Sequence, residues 1–211
     1  AAFHFCGSEV DCFAAGRTDS GVHALGQVAH LDLPRIYPSD TVRDALNAYL
    51  RPAPVAVLRV EQADDEFHAR FSATKRAYQY VIVNRRSPLT IERGRAWLVA
   101  RPLDATAMSA AGKHLIGRHD FTSFRASECQ AASPVKTLDL LQSVRTGERI
   151  HITAEARSFL HRQVRNIVGT LVMVGEGKIA PDQVATILSD RNRESAGPCA
   201  PPDGLYLVAI S

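Results

Sequence analysis

Long apolar runs are missing from this sequence. No stretch approaches the roughly 18 consecutive apolar residues of a membrane-spanning helix, so no membrane span is expected. The first residues carry no basic segment followed by an apolar core, so no secretory leader is expected. Cysteine is scarce. Cys6, Cys12, Cys129 and Cys199 match neither a zinc signature nor a C-x-x-C redox pair, and reduced thiols in a cytoplasmic protein are expected. His23 and His30 lie seven residues apart with no third ligand at a useful spacing, so no metal site is expected. Low-complexity segments and internal repeats are absent too, which argues against a solenoid or a disordered tail. No sign of charge dominates: 25 Lys and Arg face 22 Asp and Glu, a net charge of +3. That excess is compatible with a polyanionic partner but does not demand one.

What is present is a chain of 211 residues with 45% hydrophobic content, enough for one large domain or two small ones with a real core. Residues 26–34 alternate as a half-buried strand. Residues 39–50 open on a Ser39/Asp40 cap and place Val42, Leu46, Tyr49 and Leu50 on one helical face. Residues 55–63 form a short apolar run that reads as a strand, and 75–84 read as an aromatic and β-branched strand. A helix over 103–117 is capped near Asp104 and stopped by Gly117. Two strands flank a Thr146-Gly147 turn. The longest apolar helix spans 159–177, with Leu160, Val164, Ile167, Val168 and Leu171 as its buried stripe. Pro181 opens a last short helix, and 205–210 form a closing strand. Mixed elements with hairpins predict an α+β fold: a largely antiparallel, mixed sheet with helices packed on it. The composition shifts around residues 61–70, which places a boundary between lobes at 1–67 and 68–211 and suggests a catalytic cleft between them.

Three stretches carry candidate chemistry. In 14–33, Gly16 and Gly21 bracket Arg17, Thr18, Asp19 and Ser20, presenting a carboxylate on a loop just ahead of a strand. Thr18 or Ser20 could close that loop by hydrogen bonding, and Asp19 could equally be a plain turn residue. In 69–84, Arg70, Lys75 and Arg76 crowd one end of a strand carrying Tyr78 and Tyr80, which share a face. Cations beside rings suit a nucleic acid, although tyrosines of a sheet core with solvated cations would read the same way. In 159–175, His161 and Arg165 are spaced i, i+4, as are Arg162 and Asn166. An arginine inside an apolar helix is costly unless it snorkels or reaches a carboxylate, for which Asp19 is the candidate.

Taken together, "GRTDSGVHALGQV", "FHARFSATKRAYQYVIVN", "LIGRHDFTSFRAS", "FLHRQVRNIVGTLVMVG" and "GLYLVAI" resemble, in order, the blocks of the tRNA pseudouridine synthase A family. The resemblance spans residues 14–210. It implies two ferredoxin-like lobes and isomerisation of uridine to pseudouridine at positions 38 to 40 of the tRNA anticodon stem-loop. It also implies no cofactor, no metal and a homodimer. Asp19 then stands at the catalytic aspartate, Tyr78 at the tyrosine that packs on the target base, and Arg165 at the basic partner of the aspartate. Arg17 stands at the arginine that engages RNA and helps extrude the base. His23, Arg70, Lys75, Arg76, Arg125 and Arg162 are further expected RNA contacts. Family members carry a further strand ahead of the region matching residues 1–15 and a short tail after the last strand. The sequence, which starts at Ala1 rather than methionine, is therefore expected to be truncated at both ends, with an exposed sheet edge.

The chemistry explains these residue types. The N1–C1′ bond must break, the uracil must turn, and C5 must bond to C1′, so the base has to leave its stack. An aspartate nucleophile must be ionised, and a neighbouring guanidinium favours that state and orients the carboxylate. Whether it attacks C1′ or C6 or assists elimination stays open. A tyrosine offers a flat ring and a hydroxyl able to relay the C5 proton. Two other classes compete with the isomerase: a non-catalytic tRNA-binding module and a metal-dependent nuclease. The first needs no paired carboxylate, and the second needs a closely spaced ligand set.

Overall fold

A computed structural model describes residues 1–211. In chain order the helices are α1 (Ala2–Cys6), α2 (Ser39–Leu50), α3 (Ala105–Lys113), α4 (Gln163–Gly175) and α5 (Gln183–Asp190). The strands are β1 (Cys12–Ala14), β2 (His23–Ala24), β3 (Ala29–Leu31), β4 (Arg76–Val83), β5 (Trp97–Leu98), β6 (Gly117–Asp120), β7 (Val135–Thr146), β8 (Arg149–Ala156) and β9 (Leu205–Ile210). The fold is α+β with a mixed, mostly antiparallel sheet. No helix is long and apolar enough to cross a membrane.

The chain divides into two compact units, residues 1–16 with 28–73 and residues 17–27 with 74–211. The smaller unit holds β1 paired antiparallel with β3, together with α1 and α2. Ser39 is the first residue of α2 and no side chain caps that helix. Val42 and Leu46 are buried, whereas Tyr49 of the expected apolar face is exposed. The apolar run at 55–63 is not a strand. The Asn47 side chain accepts from the Val57 amide and donates to its carbonyl, both at 2.8 Å, so an amide side chain takes the place of a ladder partner. An apolar β-branched run becomes a strand only where a neighbouring strand satisfies its backbone.

The larger unit is built on the sheet β2-β9-β4-β8-β7-β6, with β5 also paired to β4. β2 with β9 and β4 with β5 are parallel; the other pairs are antiparallel. Alternation buries one face of β4, through Arg76, Tyr78, Tyr80 and Ile82, and the matching face of β8, through Ile150, Ile152, Ala154 and Ala156. Met108 and Ala111 of α3, Ile167, Val168 and Leu171 of α4, and Val184 and Ile187 of α5 pack on that face as one core. α3 is capped as its sequence predicts, Asp104 accepting from the amides of Thr106 and Ala107. α4 starts later than expected, because Arg162 is left-handed at φ 59° and the helix begins only at Gln163. The expected stripe from Leu160 to Leu171 is buried nonetheless.

The sequence places 17–27 with residues 1–67, but its contacts group it with the larger unit. The cause is β2: His23 pairs with Tyr206 and Ala24 with Leu207, and the Leu25 amide donates to the Leu207 carbonyl. A second close approach shapes the same unit. A Cβ on Gly169 would lie 1.7 Å from the Pro198 carbonyl oxygen, and one on Gly197 would lie 2.8 Å from the backbone of Thr170. Glycine at both positions lets residues 197–200 lie directly on α4.

Candidate active site

The loop that carries Asp19 is closed through its backbone. The Val22 amide donates to the Asp19 carbonyl at 3.0 Å, and neither the Thr18 nor the Ser20 hydroxyl closes the turn. Of the two bracketing glycines only Gly21 adopts a left-handed conformation, φ 82°, where a side chain would be strained. The strand pairing of β2 with β9 then fixes the loop to the sheet.

Three basic side chains from the start of α4 and the turn before it surround the Asp19 carboxylate. Arg165 Nη1 donates to Oδ2 at 2.6 Å and His161 Nε2 lies 3.0 Å from Oδ1. Arg162 Nε stands 4.0 Å from Oδ2, and its Nη1 reaches Glu128 Oε1 at 3.0 Å. Side-chain exposure is 24% for Asp19, 12% for Arg165 and 36% for His161. The pair is thus shielded but reachable. Arg165 is itself anchored, its Nε donating to the Ala200 carbonyl at 2.7 Å. That carbonyl is in place because residues 197–200 lie against α4. The expected reach from Arg165 to Asp19 is therefore present.

Tyr78 lies in the buried face of β4 at 9% exposure, with the Phe159 ring edge-on at 5.2 Å between centroids. Burial raises its hydroxyl pKa above the ordinary value, Arg76 opposes that shift and Asp19 adds to it. Tyr80 is fully buried and donates to the Pro201 carbonyl at 2.7 Å, so it is a core residue and offers no stacking face.

The expected RNA contacts separate by environment. Arg17 and Arg70 are exposed, the latter set over the Phe71 ring at 5.9 Å within the smaller unit. Lys75 is exposed and pairs with Glu155 at 2.9 Å. Arg76, at 8% exposure, donates to the Arg157 carbonyl at 2.5 Å. Its position on the face of Tyr78 and Tyr80 directs it into the core, so the surface placement expected for it is corrected. Arg125 donates to the Cys129 and Ala131 carbonyls and orders its own loop. His23 stacks on Tyr206 at 4.7 Å and bonds the Gly94 carbonyl at 2.9 Å, holding the Asp19 loop to the sheet. His161 was not among the expected site residues, although its spacing from Arg165 marked it. In the loop that Arg125 orders, burial acts to raise the Cys129 thiol pKa, but the amides of Ala131 and His161 and the Arg125 guanidinium outweigh it and lower the pKa overall.

A family profile described as tRNA pseudouridine synthase matches residues 111–211. A protein of Paramagnetospirillum magneticum named tRNA pseudouridine synthase A is 61% identical over 206 residues, covering 98% of this chain and 80% of that relative. The chain belongs to the tRNA pseudouridine synthase A family. Relatives of the same name from Rhodospirillum rubrum and Rhodopseudomonas palustris are each 57% identical over 210 of the 211 residues of this chain. The chain spans 76% of the first of these and 86% of the second. In this member of the tRNA pseudouridine synthase A family, the aspartate loop, the α4 arginine and the β4 tyrosine all come from the larger unit.

Proposed function

We propose that the protein isomerises uridine to pseudouridine in tRNA, at positions 38 to 40 of the anticodon stem-loop, with Asp19 as nucleophile. The observation that carries the reading is the Asp19 carboxylate held by Arg165 and His161 at 2.6 and 3.0 Å on a glycine-bounded loop. A binding module has no use for a shielded carboxylate gripped at both oxygens, and such a carboxylate suits attack on an electron-poor carbon of an extruded nucleotide.

In this reading Arg165 orients the Asp19 carboxylate through its hydrogen bond to Oδ2. Tyr78 packs its ring against the uracil, and its raised pKa keeps the hydroxyl protonated and able to relay the C5 proton. Arg17 and Arg162 engage the RNA, with Arg70 and Lys75 as outlying phosphate contacts. No cofactor enters the step. The family resemblance adds a cytoplasmic location and a homodimer, and light scattering of the purified protein tests the dimer.

The test is tritium release from tRNA labelled at uridine C5, with Asp19→Asn as the paired variant. Release by the unsubstituted protein, none by Asp19→Asn, and tRNA affinity within a few-fold between them is the expected result. Turnover by Asp19→Asn sinks the nucleophile. Binding without release by the unsubstituted protein favours the binding module.

A further inference from the structure

We propose that His161 is a positioning residue for Asp19: its Nε2–H holds Oδ1, so that the carboxylate plane is fixed from both ends. This rests on the reading of Asp19 as nucleophile.

An aspartate turns easily about its last torsion, because a bond between tetrahedral and planar carbon has a broad, shallow profile. One hydrogen bond leaves that rotation soft. Arginine usually removes the softness by presenting two parallel N–H groups to both oxygens. Arg165 does not. Its Nε is committed to the Ala200 carbonyl at 2.7 Å, and only Nη1 reaches Asp19, at Oδ2. The second tooth of the fork comes from His161, whose Nε2 lies 3.0 Å from Oδ1. An ionised carboxylate only accepts, so that ring nitrogen carries the hydrogen.

The backbone is arranged to put the ring there. The His161 amide donates to Cys129 Sγ at 3.4 Å, and its carbonyl accepts from the Ala126 amide at 3.1 Å. Arg162 follows in a left-handed conformation, φ 59°, uncommon outside glycine. That turn keeps His161 out of α4, and its ring meets the Asp19 oxygen that Arg165 leaves open.

The experiment compares His161→Phe, which keeps a ring without a donor, with His161→Gln, whose amide nitrogen falls near the position of Nε2. Tritium release gives kcat and KM, filter binding gives the tRNA Kd, and thermal unfolding checks the fold. His161→Phe should lower kcat roughly 10- to 100-fold, as expected when a reacting group strays by about 1 Å, with KM and Kd held within a few-fold. His161→Gln should recover most of the loss. If the phenylalanine variant unfolds early, His161→Ala against His161→Gln reads the same contrast. Unchanged kcat in His161→Phe overturns the proposal, as does a loss confined to KM and Kd, or a glutamine variant as slow as the phenylalanine one. The Asp19→Asn control separates the two readings: turnover by that variant removes the nucleophile, whereas its inactivity beside a fully active His161→Phe removes only the role of His161.

Discussion

Replacing Arg165 by alanine should be felt in stability as well as in turnover, and the two losses share one cause. The substitution strands the Asp19 carboxylate, which is 24% exposed, and removes a guanidinium that is 12% exposed. Breaking a fully buried ion pair from one side costs about 3–5 kcal/mol. Asp19 keeps a quarter of its surface and its contact with His161, so the stranded charge should cost about 2 kcal/mol. The lost bond from Nε to the Ala200 carbonyl adds roughly 1 kcal/mol. The total, about 3 kcal/mol, corresponds to a fall in Tm of about 6–12 °C for a unit of this size. Trp97 is the sole tryptophan, sits on β5 beside Tyr80 in the larger unit, and gives a fluorescence signal for that unit alone. Arg165→Lys keeps the charge and one contact, and should lose only about a third of that stability. Adding Asp19→Asn to Arg165→Ala removes the stranded charge and should return part of the Tm. An Arg165→Ala protein that melts within about 1 °C of the parent and releases tritium at the parent rate refutes the reasoning.

Gly169→Ala forces a methyl against the Pro198 carbonyl, 1.7 Å from where its carbon would stand; a loss of about 3 kcal/mol in a Trp97 melt is expected, with slower turnover because the Ala200 anchor shifts too. Tyr78→Phe should slow tritium release while changing the alkaline limb of stability. With the folded pKa of Tyr78 raised above 10.0, chiefly by burial, the unfolded chain releases that proton first, so the stabilisation is whole below the unfolded value and fades as pH rises past it. The phenylalanine variant should therefore lose less Tm than the parent above about pH 10, and an identical fall in both would contradict the assignment. Arg17→Ala should weaken tRNA binding in a filter assay and flatten the log–log salt slope by about one.

The elements that the sequence predicts well depend on local signals. The Asp104 cap, the hairpin of β7 and β8, and the apolar stripe of α4 are set by neighbours a few residues away. The run at 55–63 failed because a strand needs a partner, and Asn47 supplies a side chain in its stead. The two-residue strands β2 and β5 are too short to show a period. In the site, the link from Arg165 to Asp19 was legible from the cost of an arginine in an apolar helix. The grip of His161 was not, because it depends on the left-handed Arg162, and nothing in that residue's type announces such a backbone. Arg76 was misplaced for a different reason. Its even spacing from Tyr78 and Tyr80 already put all three on one face, and only the choice of which face is buried was missing.

The pairing of β2 with β9 carries a consequence for synthesis. Asp19 is made early, but the strand that tethers its loop is Leu205–Ile210, near the end of this sequence. Ala200, which anchors Arg165, comes only a few residues earlier. A nascent chain emerging from the ribosome thus holds its aspartate, its tyrosine and its α4 arginine with no frame to set them together. Competence to modify RNA should arrive only when Leu205–Ile210 slots between β2 and β4. Chains cut short before that strand would carry Asp19, Tyr78 and Arg165 and still lack the β2–β9 tether that holds the aspartate loop.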